Sequence, residues 1–330
     1  MPSSTPAPLL QVDLVIPVYN EEEGISEFHA LLLRVIDPLP HQFKIYYIND
    51  GSSDRTQEII SQFAVDDPRI VAVEFSRNFG HQSALSAGLD MAKGDVVISM
   101  DGDGQHPPIL IPEMLALFQS GYDIVVMQRV DTRDVSWFKR WSASGFYWLL
   151  NHLSGTPVTP GAADFRLLGR NALLALKQMP EYHRFLRGMV TWIGYRSLIR
   201  PYEPGARLAG KSKYSPGKMI RLALDAIFSF SLIPLWLGLL AGAGFFGLAL
   251  LEVIYVLSFW LTGRQGLLVP GWSSLIFVIL IVGGTIMVNL GFIGIYVGYI
   301  FQEVKRRPVY LIRSVTGQFR GEDPRPLDRQ

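Results

Sequence analysis

The chain contains no cysteine. That excludes disulfide staples and thiolate metal sites, and it fits a reducing compartment without requiring one. It also lacks a net charge of any size: 30 Lys and Arg face 29 Asp and Glu, leaving +1 at neutral pH. The overall balance therefore offers no electrostatic ground for a nucleic-acid partner, and none is expected. The opening residues, MPSSTPAPLLQ, lack the basic start and continuous apolar core of a signal peptide. The N-terminal half is thus expected to stay on the side of the membrane where it is made. A further absence is local. There is no charged residue from Ala226 to Leu251, and none from Gln265 to Gln302.

Stretches that long without charge point to a bilayer, whose core of about 30 Å takes roughly 20 helical residues. Run as one helix from Ala226 to Gly263, the first stretch would measure about 57 Å, too long for a single crossing. Pro234 supplies a break. The chain then reads as an interfacial amphipathic helix over 215–233 and a hairpin over 234–302, with spans at about 234–260 and 272–300. Arg207, Lys211, Lys213, Lys218 and Arg221 precede the first span; Lys305, Arg306, Arg307 and Arg313 follow the second; the turn between carries only Arg264. By the positive-inside tendency both ends are cytoplasmic, and 303–330 reads as a basic tail. Gly238/Gly242 and Gly294/Gly298 have the spacing that permits close helix packing within or between chains, which is a route to a homo-oligomer. Glu252 and Asn289 are the polar residues well inside, at different depths.

The first 130 residues have a different texture. Apolar strand-like runs at Val12–Pro17, Phe43–Asn49, Ile70–Ser76, Asp95–Met100 and Asp123–Gln128 alternate with helix-like segments near Glu21–Ile36, Asp54–Phe63, His81–Ala92 and Pro107–Ser120. Continuous apolar strands separated by helices imply a mostly parallel sheet covered on both faces, an α/β nucleotide-binding architecture occupying 1–214. Asn20 with Glu23 reads as a capping box, and Gly94 and Gly121 as helix C-terminal glycines. In such sheets ligands sit beyond the carboxyl ends of the strands. Polar clusters gather there: PVYNEE, NDGSSD, SRNFGH and DGDGQ follow the first four strands in turn. One such cluster is a turn; four on one edge suggest a site.

Two pattern matches compete with that site. GAGFFG, Gly242–Gly247, fits a dinucleotide loop but lies inside a membrane span, where glycine serves helix packing. GARLAGKS, Gly205–Ser212, fits the Walker A pattern, which would make the chain a P-loop NTPase. Tyr214-Ser215-Pro216-Gly217 interrupts the helix that a P-loop needs, although a basic, glycine-flanked loop still suits phosphate oxygens. In MDGDGQHPP, Asp101 and Asp103 are two residues apart, so on an extended chain both carboxylates face the same way. With the Gln105 amide oxygen they form a hard-oxygen set suited to Mg²⁺ or Mn²⁺ shared with a diphosphate. A surface turn capping the next helix is the plainer alternative. The histidines are scattered, and neither His81 nor His106 is assigned a metal.

Taken together and in this spacing, PVYNEE, INDGSSD, SRNFGH, MDGDGQHPP and ADFRLL resemble glycosyltransferase family 2 with the GT-A fold. More narrowly they resemble the polyprenyl-phosphate glycosyltransferases, the dolichol-phosphate-mannose synthase-like group in its bacterial, two-span, undecaprenyl-phosphate form. The resemblance runs from Val12 to about Val315 and implies a protein of the bacterial inner or plasma membrane.

The resemblance also implies roles. Pro17, Tyr19, Glu21 and Asp50 would surround the base and ribose of a nucleotide-sugar, with Asp101 near the ribose; Lys211, on the basic loop that suits phosphate oxygens, is counted with the nucleotide-sugar-binding residues. Asp103 and Gln105, beside Asp101, would hold the metal, and Arg207 would close over the diphosphate. Arg129, Arg140 and Ser144 would cradle the lipid phosphate; the last two lie four apart on one helix face, where surface charge is the plainer reading. Asp164 matches the family's catalytic base. It could equally orient sugar or acceptor, because a phosphate monoester with a second pKa of about 6 is already largely ionised, or it could simply pair with Arg166. The activity implied is inverting, metal-dependent hexose transfer, with UDP-glucose favoured over GDP-mannose as donor and polyprenyl phosphate as acceptor. The alternatives are a catalytically silent membrane protein that binds nucleotide-sugar, and the P-loop NTPase.

Overall fold

The computed structural model describes residues 9–130, 162–182, 184–205, 233–263 and 271–318. Of these, residues 9–130, 162–182, 184–205 and 307–318 belong to one compact unit, and residues 233–263 and 271–306 to the other.

The first unit is organised by an eight-stranded sheet in the order β7-β5-β6-β4-β1-β2-β3-β8. Its centre is parallel: β1 (Gln11–Val18) lies between β2 (Gln42–Asn49) and β4 (Val96–Ser99), and β3 (Ile70–Phe75) continues beyond β2. The reason is composition. After its first residue every position of β1 and β2 is buried, so both faces must be covered by helices, which only crossover connections provide. On one face α1 (Ile25–Ile36), α2 (Thr56–Asp66) and α4 (Ile111–Gln119) close over Leu14, Ile16, Ile45 and Tyr47, all fully buried. Each such apolar side chain contributes roughly 1.5–3 kcal/mol relative to exposure. On the other face α3 (His81–Met91) comes so near that a Cβ on Gly88 would stand 2.2 Å from Val15 Cγ1.

Beyond β4 the pattern changes. β5 (Ile124–Arg129) and β7 (Ser197–Tyr202) run parallel to each other, and β6 (Ala162–Gly169) lies antiparallel between β4 and β5. Two short helices, α5 (Arg170–Lys177) and α6 (Leu186–Trp192), follow β6. The opposite edge is β8 (Ile312–Thr316), antiparallel to β3. This corrects the reading of 303–330 as a tail: part of it is sheet. Tyr310 stacks on Phe75 at 5.2 Å and donates its hydroxyl to Asp90 at 3.2 Å, while Arg313 and Ser314 both donate to Glu74 at 2.8 Å.

Local signals fared unevenly. The capping box does not form: α1 begins at Ile25, and Asn20 adopts φ 51° and accepts from Ser53 N at 2.9 Å instead. Gly121 does take the left-handed C-terminal conformation, φ 98°. Gly94 does not; it is glycine because a Cβ would meet Gln11 O at 2.6 Å, and its N–H donates to the buried Asp13.

The second unit contains α7 (Ile233–Leu261) and α8 (Trp272–Val304). Pro234 stands at the start of α7, where a missing N–H costs nothing. Large apolar side chains point outward on both helices, among them Leu239, Phe246, Met287 and Val288. A water-soluble helix would turn them inward. Ile281–Val304 is long and apolar enough to cross a membrane by length and composition. The helices meet where Gly238 faces Asn289, so closely that a Cβ on the glycine would lie within 3 Å of the Asn289 amide. The expected interfacial helix, 215–233, lies almost entirely outside the described residues.

Candidate active site

The carboxyl ends of β1 to β5 and β7 share one edge of the sheet, and the antiparallel β6 begins there. Strand direction therefore collects at one rim the polar clusters that follow each apolar run.

The first two clusters are tied to each other. Asn20 N donates to Ser52 Oγ and Glu21 N to Thr56 Oγ1, each at 2.9 Å. Glu22 Oε2 accepts from Arg55 N at 3.0 Å, and buried Asn49 accepts from the N–H and hydroxyl of Ser52. Tyr19 and Glu21 thus stand on a braced loop, with Pro17 at the end of β1 just before it. Asp50 is buried, and its carboxylate accepts the backbone N–H groups of Phe79, at 2.7 Å, and Gly80, at 2.9 Å. Burial pushes this carboxyl above its ordinary value despite those bonds. Asp50 hangs the third loop on the second. Gly51, at φ 66°, permits the approach: a Cβ there would be 2.4 Å from the Arg77 backbone.

The DGDG turn is shaped from below. Gly102 is buried against Ile16, Val18 and Ile25, leaving no room for more than a light contact there, while Asp101 and Asp103 are part-exposed. Asp101 N donates to His106 Nδ1 at 2.8 Å, which leaves the proton of a neutral ring on Nε2, 3.7 Å from Asp101 Oδ2. Asp101 Oδ1 is buried without a hydrogen bond from the described residues. Asp103 Oδ1 accepts from Gln105 N at 3.0 Å, and Gln105 Oε1 accepts from Arg129 Nη1 at 3.2 Å. Asp103, Gln105 and Arg129 are therefore brought together. Gly205, which opens the GARLAGKS segment, lies on this turn: a Cβ on it would be 2.4 Å from Gly104 O. Arg207 and Lys211 follow it but lie outside the described residues, as do Arg140 and Ser144.

Register brings Asp164 to the same place. Ser99 pairs with Arg166 across the antiparallel ladder, so Asp101, two residues on, comes level with Asp164. Asp164 is buried, its main-chain oxygen accepting from Ser99 Oγ at 2.7 Å. Its carboxylate receives Arg166 Nη2 on Oδ1, Arg187 Nη2 on Oδ2 at 3.0 Å and Gln82 Nε2 at 3.4 Å. His81 Nε2 stands 3.3 Å from Asp164 Oδ2 and 3.6 Å from Asp101 Oδ1. Burial alone would raise the Asp164 carboxyl. The Arg187 charge, the His81 bond and the Arg166 charge outweigh it and hold the group well below the usual carboxylate range. For His81 burial lowers the affinity for a proton, but the charge of Asp101 and the bond to Asp164 raise its pKa to about 9. The expected pairing of Asp164 with Arg166 is present, with a second arginine added.

A rim of this kind on a mostly parallel sheet suits a nucleotide and its phosphates. The profile described as glycosyl transferase family 2 matches residues 13–175. An uncharacterized glycosyltransferase of Synechocystis sp. is 39% identical over 310 residues, covering 93% of this chain and 96% of that protein. This chain belongs to glycosyl transferase family 2. The glycosyltransferase is also 37% identical over 309 residues to a prophage bactoprenol glucosyl transferase homolog of Escherichia coli, covering 93% and 99% of the two chains. Among solved structures, mannosyl-3-phosphoglycerate synthase from Rubrobacter xylanophilus is similar with a TM-score of 0.46 at 14% identity, over 66% of this chain and 72% of that one.

Four residues that contact Asp101 or Asp164 have no role in the sequence reading: His81, Gln82, His106 and Arg187. His81 and His106 stand inside the polar clusters SRNFGH and DGDGQHPP, but their spacing marks no metal site and no other local pattern gives them a partner. Gln82 and Arg187 reach Asp164 from helices 82 and 23 residues away in the chain, and no local pattern announces such contacts.

Proposed function

We propose that the enzyme transfers a hexose, glucose for preference, from a nucleoside diphosphate-sugar to the phosphate of a membrane polyprenol. The observation that carries this reading is the juxtaposition at one rim of the Asp101–Asp103 turn, with Gly205 lying on it, and the Asp164 cluster one strand further out. A diphosphate leaving group and a phosphate nucleophile need such neighbouring polar seats. Relatives of similar length that are called bactoprenol glucosyl transferase, including one from Shigella flexneri at 38% identity, support glucose and a bacterial polyprenol.

The residues fit a divalent cation that is shared with a ligand. Asp101 Oδ1 is buried without a hydrogen bond from the described residues, and the donors at hand are hard oxygens. Among the described residues no group of three His, Cys, Asp or Glu could cage a metal. Asp101 and Asp103 would hold the ion, with Gln105 if its amide oxygen leaves Arg129. When bound, Mg²⁺ or Mn²⁺ would supply positive charge to the departing diphosphate.

The remaining chemistry belongs to the chain and the substrates. The acceptor phosphate, ionised at neutral pH, attacks the anomeric carbon with its own oxygen; a C–O bond forms as the bond to the diphosphate breaks, inverting that carbon. Little deprotonation is needed. Asp164, held ionised among two arginines and His81, is a weak base. Pro17, Tyr19 and Glu21 border the nucleotide, Asp50 fixes the loop that carries His81, and Arg129, Arg140 and Ser144 receive the acceptor phosphate. Arg207 and Lys211, which follow Gly205 in the sequence, bind the diphosphate. The contact of Gly205 with Gly104 favours transfer over the P-loop reading, because it brings the first residue of GARLAGKS to the DGDG turn.

A hairpin of α7 and α8 would keep this rim at the level of a lipid headgroup, with both termini cytoplasmic. The chain's return to the sheet at β8 supports an even number of crossings between residues 205 and 307. The deciding assay incubates purified protein with Mg²⁺, polyprenyl phosphate and a panel of radiolabelled nucleotide-sugars. Label is expected in the lipid from UDP-glucose, and Asp103→Ala is expected to reduce it at least a hundredfold. No label from any donor would refute the reading.

A further inference from the structure

The ring of His81 is held at both ends, and one of its two nitrogens is left over. Its backbone follows Phe79 and Gly80, whose N–H groups both donate to the buried Asp50 carboxylate. Gly80 then takes φ 101°, a left-handed value, and α3 begins at His81 itself. At the far end of the side chain, Nε2 stands 3.3 Å from Asp164 Oδ2 and 3.6 Å from Asp101 Oδ1. The ionised Asp164 carboxylate only accepts, so Nε2 carries a proton. Nδ1 lies across the ring from that corner. It has no hydrogen-bond partner among the described residues, and 42% of the side chain is exposed.

The place of this ring narrows what Nδ1 can meet. Asp101 belongs to the turn that would seat the diphosphate, and Asp164 to the cluster one strand further out. A single ring atom stands within 3.6 Å of both carboxylates. In a transfer between two such seats, the group that passes between them is the sugar. A sugar offers hydroxyls, which both donate and accept. Nδ1 therefore bonds a hydroxyl in either state of the ring, donating when it holds a proton and accepting when it does not. A phosphate oxygen, which only accepts, suits one of those states alone.

We propose that His81 Nδ1 binds a hydroxyl of the transferred sugar, which makes His81 a specificity-determining residue for the donor. Asp50 fixes its backbone and Asp164 its ring, so the nitrogen is oriented before the sugar arrives and little freedom is lost on binding. This reading deepens the proposed hexose transfer and rests on it for the identity of the donor.

The test measures affinities of the purified full chain in detergent for UDP, for UDP-glucose, and for the UDP-glucose analogues that each lack one sugar hydroxyl. Wild type is compared with His81→Gln, which keeps an N–H donor for Asp164 but has no atom at Nδ1, and with His81→Phe. Unliganded melting temperatures control for folding. Wild type is expected to bind one deoxy analogue about 3- to 10-fold less tightly than UDP-glucose, the worth of one net hydrogen bond. In both variants that difference is expected to vanish while UDP, which has no sugar, binds as before. A histidine that only braces the two aspartates would shift UDP-glucose and its analogues alike; differences that persist in a folded variant overturn the proposal. Equal affinity of wild type for UDP-glucose and every deoxy analogue overturns it too. So does a loss of UDP affinity as large as the loss of UDP-glucose affinity, which would put Nδ1 on the diphosphate. Should His81→Phe unfold the chain, His81→Gln carries the same comparison. A wild type that discriminates the analogues through His81 but transfers no sugar from any donor would refute the function and leave the sugar contact standing.

Discussion

At the scale of single residues, Asp50 illustrates how one buried carboxylate can hold a neighbouring loop in place. The resemblance places it near the nucleotide. The structure commits its carboxylate to the backbone N–H groups of Phe79 and Gly80, and so to the loop that leads into His81. Removing it leaves two backbone donors without their acceptor, each costing about 1–3 kcal/mol when buried. Asp50→Ala is therefore expected to lower the melting temperature in the absence of any nucleotide, with Asp50→Asn, whose amide oxygen still accepts, falling between. An unliganded melting temperature equal to wild type would mean that the loop does not hang on Asp50. The same scale explains what was legible. Asp101, Asp103 and Asp50 stand directly after apolar strands, and strand direction sends such residues to one rim whatever else the fold does. Arg187 has no such address. Its neighbours Leu186, Met189 and Val190 are buried core, and its contact with Asp164 exists only because β6 brings that residue within reach.

At the scale of elements, legibility follows burial. The central strands β1 to β4 are apolar on both faces, and they were read to within a residue or two. β6 hid because Asp164 and Arg166 interrupt its apolar run with charges that satisfy each other only in the folded protein. β7 and β8 hid because edge strands are partly exposed and polar, as Ser197–Tyr202 and Ile312–Thr316 both are. Edge strands need special devices to end, and β8 has one. Gly317 takes φ 108°, and a Cβ on it would stand 2.3 Å from Ile70 O, a backbone atom that cannot step aside. Gly317→Ala is expected to combine a left-handed penalty of order 1 kcal/mol with that clash. The outcome to look for is release of the C-terminal strand. Limited proteolysis should cut within or after β8 faster in the variant than in wild type, and equal rates would show that the strand end tolerates displacement.

At the scale of the whole molecule, the return of β8 to the sheet constrains the path of everything before it. β8 pairs with β3, so on the proposed membrane reading the chain before α7 and the chain after α8 lie on the same side of the bilayer. If α8 crosses over Ile281–Val304, then the preceding segment crosses too, even though α7 carries Glu252 within its 29 residues. A single crossing would separate β8 from β3 by the thickness of a membrane. The natural absence of cysteine makes this simple to examine, since one introduced thiol is the sole target for a membrane-impermeant maleimide. In intact cells, Thr262→Cys, just beyond α7, is expected to react from outside. Glu203→Cys and Gln318→Cys, at the ends of β7 and β8, should react only after the membrane is opened. Protection of Thr262→Cys in intact cells, together with its labelling after lysis, would place the turn inside. Both helices would then lie along the membrane surface, and the rim would have to meet its lipid by another route.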